Sequence, residues 1–552
     1  MRSLFCYTYD RAAFEDFQQR VRAWGLDPDE IDWLAAEDPR NANQADILYH
    51  PSPGLGDLAW RRRMGNQRGY GLCGVTHTTA SRAVMESIGQ LAIAPVQPWD
   101  ALICTSQAVR TGVERVIDHW SEYLAQQFGR RPRVALELPV IPLGVDCDRF
   151  VAGSGETERD RRQRWRQQLE IADDDIVILF VGRLIAYAKA HPIPMYDAIE
   201  RAARCTDSTG RRIHLIQAGW FESERDEAMF KETMPTLCPS VNGIFLDGRD
   251  RHVRDSIWSA ADIFISLADN IQETFGLTPI EAMAAGLPVV VSDWNGYKES
   301  VRHGIDGFRV PTVTPPPGSG VNLAWDYYED RINYSTYVGE SANAVAIDIE
   351  SCAASLVELI ENPDLRRQLG ANGRQRARSV YDWRQVIASY DDLWEQMRDR
   401  RSSELERAPR QPNHPAILAI EDPFSAFAHY PSQILQDHDM IALGVNFAPD
   451  RFQTLRNIWA NRIGDRHRLA DADLERLFDL LKTRDHRVSE LIAAIAQRPA
   501  PVGTSPNLSD PASSAKPETP ADPPQTLRRR VYLTLTYLLK FDIVQLRPHS
   551  CH

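Results

Sequence analysis

A chain of 552 residues exceeds one ordinary domain, and roughly three or four would be expected from its length. Its 43% hydrophobic and 25% charged residues describe a soluble globular protein, and a net charge of −13 argues against general nucleic-acid binding. Eight cysteines without a CxxC pair or metal-ligand spacing read as free thiols in a reducing compartment, and the absence of a signal core or of ~18 consecutive apolar residues makes the chain read as cytoplasmic.

In chain order, residues 1–150 carry short apolar strands alternating with helices. The strands are Ala45-Asp-Ile-Leu-Tyr, Tyr70-Gly-Leu-Cys-Gly-Val-Thr, Asp100-Ala-Leu-Ile-Cys-Thr and Leu138-Pro-Val-Ile-Pro. Residues 81–91 and 108–128 are the clearest helices between them. Such alternation predicts a parallel sheet covered on both faces. A charged helix over 156–171 leads into a second series, with strands at Ile176-Val-Ile-Leu-Phe-Val, Ile213-His-Leu-Ile-Gln-Ala, Gly243-Ile-Phe-Leu, Ile263-Phe-Ile-Ser and Pro288-Val-Val-Val-Ser. Two such series imply an α/β protein of two Rossmann-like domains facing a cleft.

Residues 311–344 are rich in proline, glycine and aromatics, and read as an ordered flap near that cleft. Residues 347–400 are mostly helical and should pack back across the pair. Beyond 401 comes a mostly helical C-terminal extension. The predicted division is 1–150, 151–400, a helical extension at 401–499, a Pro/Ser/Ala-rich disordered linker at 500–526 and a terminal helix at 527–552. That helix, with Val488-Ser-Glu-Leu-Ile-Ala-Ala-Ile, suggests a small winged-helix-like module. Its Arg528-Arg529-Arg530 start also suits a peripheral membrane or partner-binding helix.

The densest chemistry lies in Glu273-Thr-Phe-Gly-Leu-Thr-Pro-Ile-Glu281-Ala-Met-Ala-Ala-Gly286-Leu-Pro288. A buried strand precedes it, and Thr278-Pro279 reads as a helix entry. Glu273 therefore sits at a strand's carboxyl end, where open α/β sheets bind ligands. The backbone N–H groups of Phe275, Gly276 and Leu277 would suit a phosphate. Glu281 also fits a capping box with Thr278, which would make it structural.

Phe180-Val-Gly182-Arg183-Leu-Ile-Ala-Tyr-Ala-Lys189 ends another strand with a glycine and two cations, a fork and a point charge suited to a diphosphate. Surface solubility is the plain alternative for Lys189. In the first domain, His77 of Gly74-Val-Thr-His-Thr-Thr-Ala-Ser81 stands at a strand end before a helix, in a structural or a functional role. Glu299 reads equally as a solvated helix-start glutamate or as a functional group.

Three signals lead nowhere. Gly54-Leu-Gly56 is followed by Arg61-Arg-Arg63 rather than by the acidic residue of a dinucleotide site. Asp173-Asp-Asp175 reads as a solvated turn. No Walker loop, zinc pattern or Gly-x-Ser-x-Gly elbow occurs.

On these residues the chain resembles the retaining, two-domain GT-B glycosyltransferases of family 4. Their signature, a Glu-x7-Glu motif within E-x-F-G-x-x-x-x-E-A-M-A-x-G-x-P-V-V, is matched by residues 273–290. Val181-Gly-Arg-Leu184, Ile141-Pro-Leu-Gly-Val-Asp-Cys-Asp-Arg-Phe150, Leu102-Ile-Cys-Thr-Ser106 and Gly304-Ile-Asp-Gly-Phe308 follow in the family's order, so that the resemblance spans residues 45–395.

It implies a hexosyltransferase using a nucleotide diphosphate sugar as donor substrate and a glycan or glycoconjugate acceptor, without metal or other cofactor. By that mapping Arg183 and Lys189, beside Gly182, face the diphosphate, and Glu273 meets the donor sugar. The Phe275, Gly276 and Leu277 backbone touches sugar and phosphate, Glu281 holds the ribose, and His77 reaches the reacting centre from the acceptor side. Two departures stand out. The family's lysine comes one position earlier, where this chain has Ala188, and residues 1–10 lack the glycine-rich loop that usually follows the first strand. The second departure motivates a rival reading, a sugar-nucleotide-binding or scaffold protein of the same fold with little turnover.

Overall fold

The computed structural model describes residues 4–150, 157–411, 414–415, 417–418, 420–445, 447–497 and 524–547. They fall into two compact units, Met1–Ile420 and Glu421–His552.

The first unit opens with β1 (Leu4–Thr8) and β2 (Ile31–Ala35), paired in parallel. A second parallel sheet runs β3 (Ile47–His50), β4 (Gly71–Val75), β5 (Ala101–Ile103). The strand expected at 138–142 is reduced to isolated bridges, Ala101 with Glu137 and Cys104 with Val140. Pro139 and Pro142 remove the donors a full ladder needs. After β1 the chain enters the helix Arg11–Ala23 through an Asp10 cap, with no glycine in the turn.

The second half is a six-stranded parallel sheet. Its strands are β6 (Ile176–Val181), β7 (Ile213–Gly219), β8 (Val241–Asp247), β9 (Ile263–Ser266), β10 (Val289–Ser292) and β11 (Gly307–Val310), in the order β11-β10-β9-β6-β7-β8. Both faces are buried because side chains alternate along each strand. Val177 and Leu179 enter one core, while Ile176, Ile178 and Phe180 enter the other. The strand order reverses between β6 and β9, so the loops leaving these two strands diverge and open a crevice.

Three helices follow, Ile349–Glu361, Pro363–Arg376 and Trp383–Ser403. The last returns to the first domain. Its Val386, Tyr390, Leu393 and Met397, spaced to form one helical face, close over Cys73, Val75, Ala101 and Ile103. The chain thus crosses the pair, as the helical periodicity predicts.

Two contacts tie the halves together near the crevice. The Ser106 hydroxyl donates to the Thr274 carbonyl at 2.9 Å. The Glu299 carboxylate accepts from the backbone N–H groups of Gln107 and Ala108, at 2.7 and 2.9 Å. These are orphan donors at the start of the helix Gln107–Phe128. Glu299 is therefore not a solvated residue of its own helix but a cap supplied across the domain boundary. Glu299→Ala should cost about 1–2 kcal/mol, the range of a lost helix cap, read as a lower denaturation midpoint.

Asp175 also departs from expectation. Far from a solvated turn, it is buried and hydrogen-bonds His214 Nε2 at 3.0 Å. It accepts as well from the backbone N–H groups of Ala172 and Arg212.

The segment after β11 is an ordered excursion. β12 (Thr312–Val313) and β13 (Ala346–Ile347) close its neck as an antiparallel pair. Between them lie two short helices, Val321–Tyr328 and Tyr334–Ala342. The expected flap is present, though half helical.

In the second unit β14 (Met440–Leu443), β15 (His486–Arg487) and β16 (Val544–Leu546) form an antiparallel sheet of order β15-β14-β16. The helices Asp471–Thr483, Val488–Ala496 and Pro524–Lys540 share one apolar core with it. The extension is mostly helical, as expected, with a small sheet among its helices, and the first unit runs on to Ile420. Residues 498–523, where most of the expected linker falls, lie outside the described residues; its last three open the helix Pro524–Lys540. Among the described residues no helix is long and apolar enough to cross a membrane.

Candidate active site

The crevice at the β6/β9 switch point holds a cavity of about 350 Å³. Gly182, Arg183 and Lys189 line it from the β6 end, and Glu273 and Glu281 from the β9 end. Residues distant in sequence thus meet because the two strands are neighbours. Lys189 closes a turn in which its N–H donates to the Ile185 carbonyl at 3.2 Å. Lys189 Nζ then stands 3.3 Å from Glu273 Oε2. Arg183 pairs with Glu222 at 2.7 Å, and Tyr187 also donates to Glu222. Both cations are held by carboxylates that an entering anion could replace.

The loop carrying Glu273 is framed from several sides. Asn270 Oδ1 accepts from the N–H groups of Gln272 and Glu273, each at 3.2 Å. Asn270 Nδ2 donates to the Lys189 carbonyl at 2.6 Å, and Gln272 donates to the Ala188 carbonyl. Trp294 Nε1 donates to the Asn270 carbonyl, and Asn295 donates to that of Glu273. The two cavity walls are therefore fastened to each other.

The helix beyond starts two residues earlier than expected, at Leu277, with Gly276 in the cap position. No side chain caps it, so the Thr278–Glu281 capping box is not formed. Gly276 has φ +82°, and a β-carbon there would lie 1.9 Å from the Tyr297 ring. Only glycine lets the backbone turn so close to Tyr297. The uncapped N–H groups are left for water or a ligand, and Glu281, relieved of capping, faces the cavity. Burial pushes its carboxyl up, against the pull of Arg149 and Arg254.

The remaining expected residues separate. The Phe275 side chain is core, packed 5.8 Å from Tyr381 between ring centroids. Leu277 is partly exposed and does not line the cavity. His77 is exposed in the loop after β4, and it too lies outside the cavity lining. Trp220, Arg254, Ser266 and Tyr297 line the cavity and went unnoticed in the sequence. Trp220 directly follows β7, so the strand-end rule applied to every strand would have found it.

Asp269 lies just below. Its Oδ2 accepts from the His191 N–H at 3.2 Å, while Oδ1 is buried without a partner. Burial pushes its carboxyl up to about 7. A raised acid is protonated in the folded state while the unfolded one, near 3.9, has already ionised. The stability it confers is present below about pH 4 and lost as pH rises through 7. Asp269→Asn should flatten that decline, measured as the denaturant midpoint between pH 4 and 8; an unchanged slope would refute the assignment.

The class so defined is an α/β protein with a ligand site at the switch point of a parallel sheet. Residues 161–315 match the family described as Glycosyl transferases group 1. The match covers less than a third of the chain and takes in Arg183, Lys189, Glu273 and Glu281.

Among curated relatives, D-inositol 3-phosphate glycosyltransferase of Geodermatophilus obscurus is 31% identical over 198 residues, 35% of this chain and 40% of the relative. Phosphatidyl-myo-inositol mannosyltransferase of Mycobacterium leprae is 28% identical over 213 residues, 38% of this chain and 44% of its own length. The chain thus spans less than half the length of these two relatives. Anabaena HepE, solved in complex with UDP, is 17% identical with a TM-score of 0.45, over 71% of this chain and 92% of that one.

Proposed function

We propose that this chain is a retaining hexosyltransferase that moves a sugar from a nucleotide diphosphate donor to a hydroxyl of a glycan or glycoconjugate, with no metal taking part. The observation that carries the reading is the convergence of Arg183, Lys189, Glu273, Glu281 and an uncapped helix start on one cavity at the switch point. The diphosphate lies between the two cations and the N–H groups at the start of Leu277–Ala284. Its negative charge grows as the glycosidic bond breaks, and fixed donors there act most strongly at that moment. Entry of the diphosphate releases Lys189 from Glu273 and Arg183 from Glu222, so each ion pair is exchanged for a charge-assisted contact to phosphate. Glu273 positions the sugar and stabilises positive charge at its reacting carbon. Glu281 takes the ribose hydroxyls. In retention of this kind the acceptor attacks the face from which the diphosphate departs, with His77 on the acceptor side. The chain acts in the cytoplasm, with its second unit available for a membrane surface or a protein partner.

A screen of nucleotide sugars for thermal stabilisation, followed by assay of nucleotide release with the hits, tests this. A cognate donor at 100 times its Kd should stabilise by about 2.7 kcal/mol. Failure of every nucleotide sugar to raise the Tm would overturn the reading. The turn after β1 enters a helix with no glycine, which favours one rival, a protein that binds the donor with little turnover. Stabilisation by a donor without release across a broad acceptor panel would select that rival.

A further inference from the structure

The flap is more than a cover. Its first helix, Val321–Tyr328, buries no side chain completely, yet it carries three aromatic rings. They divide their roles. Tyr327 turns inward and stacks on Tyr337, ring centroids 4.5 Å apart, and its hydroxyl accepts from the Arg82 N–H at 3.2 Å. Trp325 and Tyr328 face outward, each 53% exposed, and stack on each other at 5.7 Å with planes 26° apart. Arg82 lies 4.4 Å over the Tyr328 ring and donates to the Tyr328 carbonyl at 2.8 Å.

The flap is also fastened to both walls of the reaction cleft. Tyr334 shares a hydrogen bond with the Thr78 hydroxyl at 3.2 Å, next to His77, and donates to Gln272 Oε1 at 3.3 Å, next to Glu273. Arg82 starts the helix that follows the His77 loop. The outward pair is therefore continuous with the acceptor side of the proposed site.

On that reading of the site, we propose that Trp325 and Tyr328 form a saccharide platform, which receives a sugar ring of an oligosaccharide acceptor beyond the unit that reacts. A hexopyranose presents a face of C–H bonds ringed by hydroxyls. A flat aromatic surface matches the face, and charged groups match the ring of hydroxyls. Here the charged rim is supplied by Arg82 and Asp330, with Arg82 Nη1 3.8 Å from Asp330. The two rings pack on each other and on Arg82, and each keeps more than half of its surface in water. The platform makes the acceptor a chain of sugars rather than a single small alcohol.

The test is saturation-transfer NMR on the intact chain, with gluco- and manno-oligosaccharides of one to four units as probes. Wild type is compared with Trp325→Ala, Tyr328→Ala and Trp325→Phe, and stabilisation by UDP and GDP is measured in parallel. In the wild type, affinity should climb with length for at least one series. It should fall roughly tenfold in the alanine variants, the scale of one aromatic contact, and recover in part in Trp325→Phe. UDP or GDP stabilisation should be the same in all four proteins. Equal saccharide binding by wild type and the alanine variants would overturn the platform, as would no binding of any probe by the wild type. A wild-type dimer that Trp325→Ala dissociates, seen by light scattering, would assign the rings to self-association instead. Saccharide binding without any nucleotide stabilisation would leave the platform standing and sink the donor reading.

Discussion

Glu273→Gln should lower kcat by about 10²- to 10³-fold, the effect of removing one group that stabilises charge in the transition state. The donor should still raise the Tm. Glutamine keeps the size and hydrogen-bonding capacity of glutamate but not its charge, and the loop around it is held by backbone contacts the substitution leaves alone. Glu273 N–H still donates to Asn270 and its carbonyl still accepts from Asn295. On the proposed role, what disappears is a negative charge beside a sugar carbon that becomes positive as the diphosphate leaves. An interaction that strengthens only in the transition state shows in kcat, with KM for the donor nearly unchanged. The variant also frees Lys189 from its carboxylate partner, so nucleoside diphosphate stabilisation should hold or rise. Turnover within about threefold of wild type would remove Glu273 from the chemistry, on the same scale of charge stabilisation. A parallel fall in donor stabilisation would recast it as a binding group.

Much of this site was legible because strand ends are legible. An apolar β-rich run followed by glycine and cations, or by a carboxylate and glycine, marks both a strand's end and the chemistry placed there. The β6 and β9 segments each gave that signal locally, and the parallel order then brought them together. The helix start was misplaced by two residues, and with it the role of Glu281. Thr278-Pro279 is a sound local cap pattern, but packing of Gly276 against Tyr297 starts the helix earlier. Partners supplied from far away were invisible. Glu299 caps a helix almost two hundred positions earlier in the chain, and Lys189 finds Glu273 across the crevice. The first domain was read least well. β1 and β2 are short and partly exposed, so their apolar pattern is weak, and the two prolines at 139 and 142 sit in a stretch that otherwise reads as a strand.

The same limit hides the contact whose loss should hurt folding most. Within Arg61-Arg-Arg63, which spoiled the dinucleotide pattern, Arg62 is fully buried and forks onto Asp100, with Nη1 to Oδ1 at 2.6 Å and Nη2 to Oδ2 at 2.7 Å. Asp100 also accepts from the N–H groups of Leu72 and Gln97, at 2.9 and 2.7 Å, and Arg62 donates to the Tyr70 carbonyl at 2.9 Å. One carboxylate thus gathers the helix Leu55–Met64, the start of β4 and the turn before β5. Asp100→Ala leaves a guanidinium in the core with one carbonyl for company, and two amides without acceptors. Such a loss typically costs 3–5 kcal/mol because the surviving charge has no water to return to. The first unit should then unfold at markedly lower denaturant. The double variant Arg62→Met with Asp100→Asn separates the causes. It removes both charges while keeping a side chain to fill the space and an amide oxygen for Leu72 or Gln97. If the stranded charge dominates, the double variant should regain most of the stability that Asp100→Ala loses. If it is as unstable as the single variant, the amide acceptors rather than the ion pair hold this corner of the sheet.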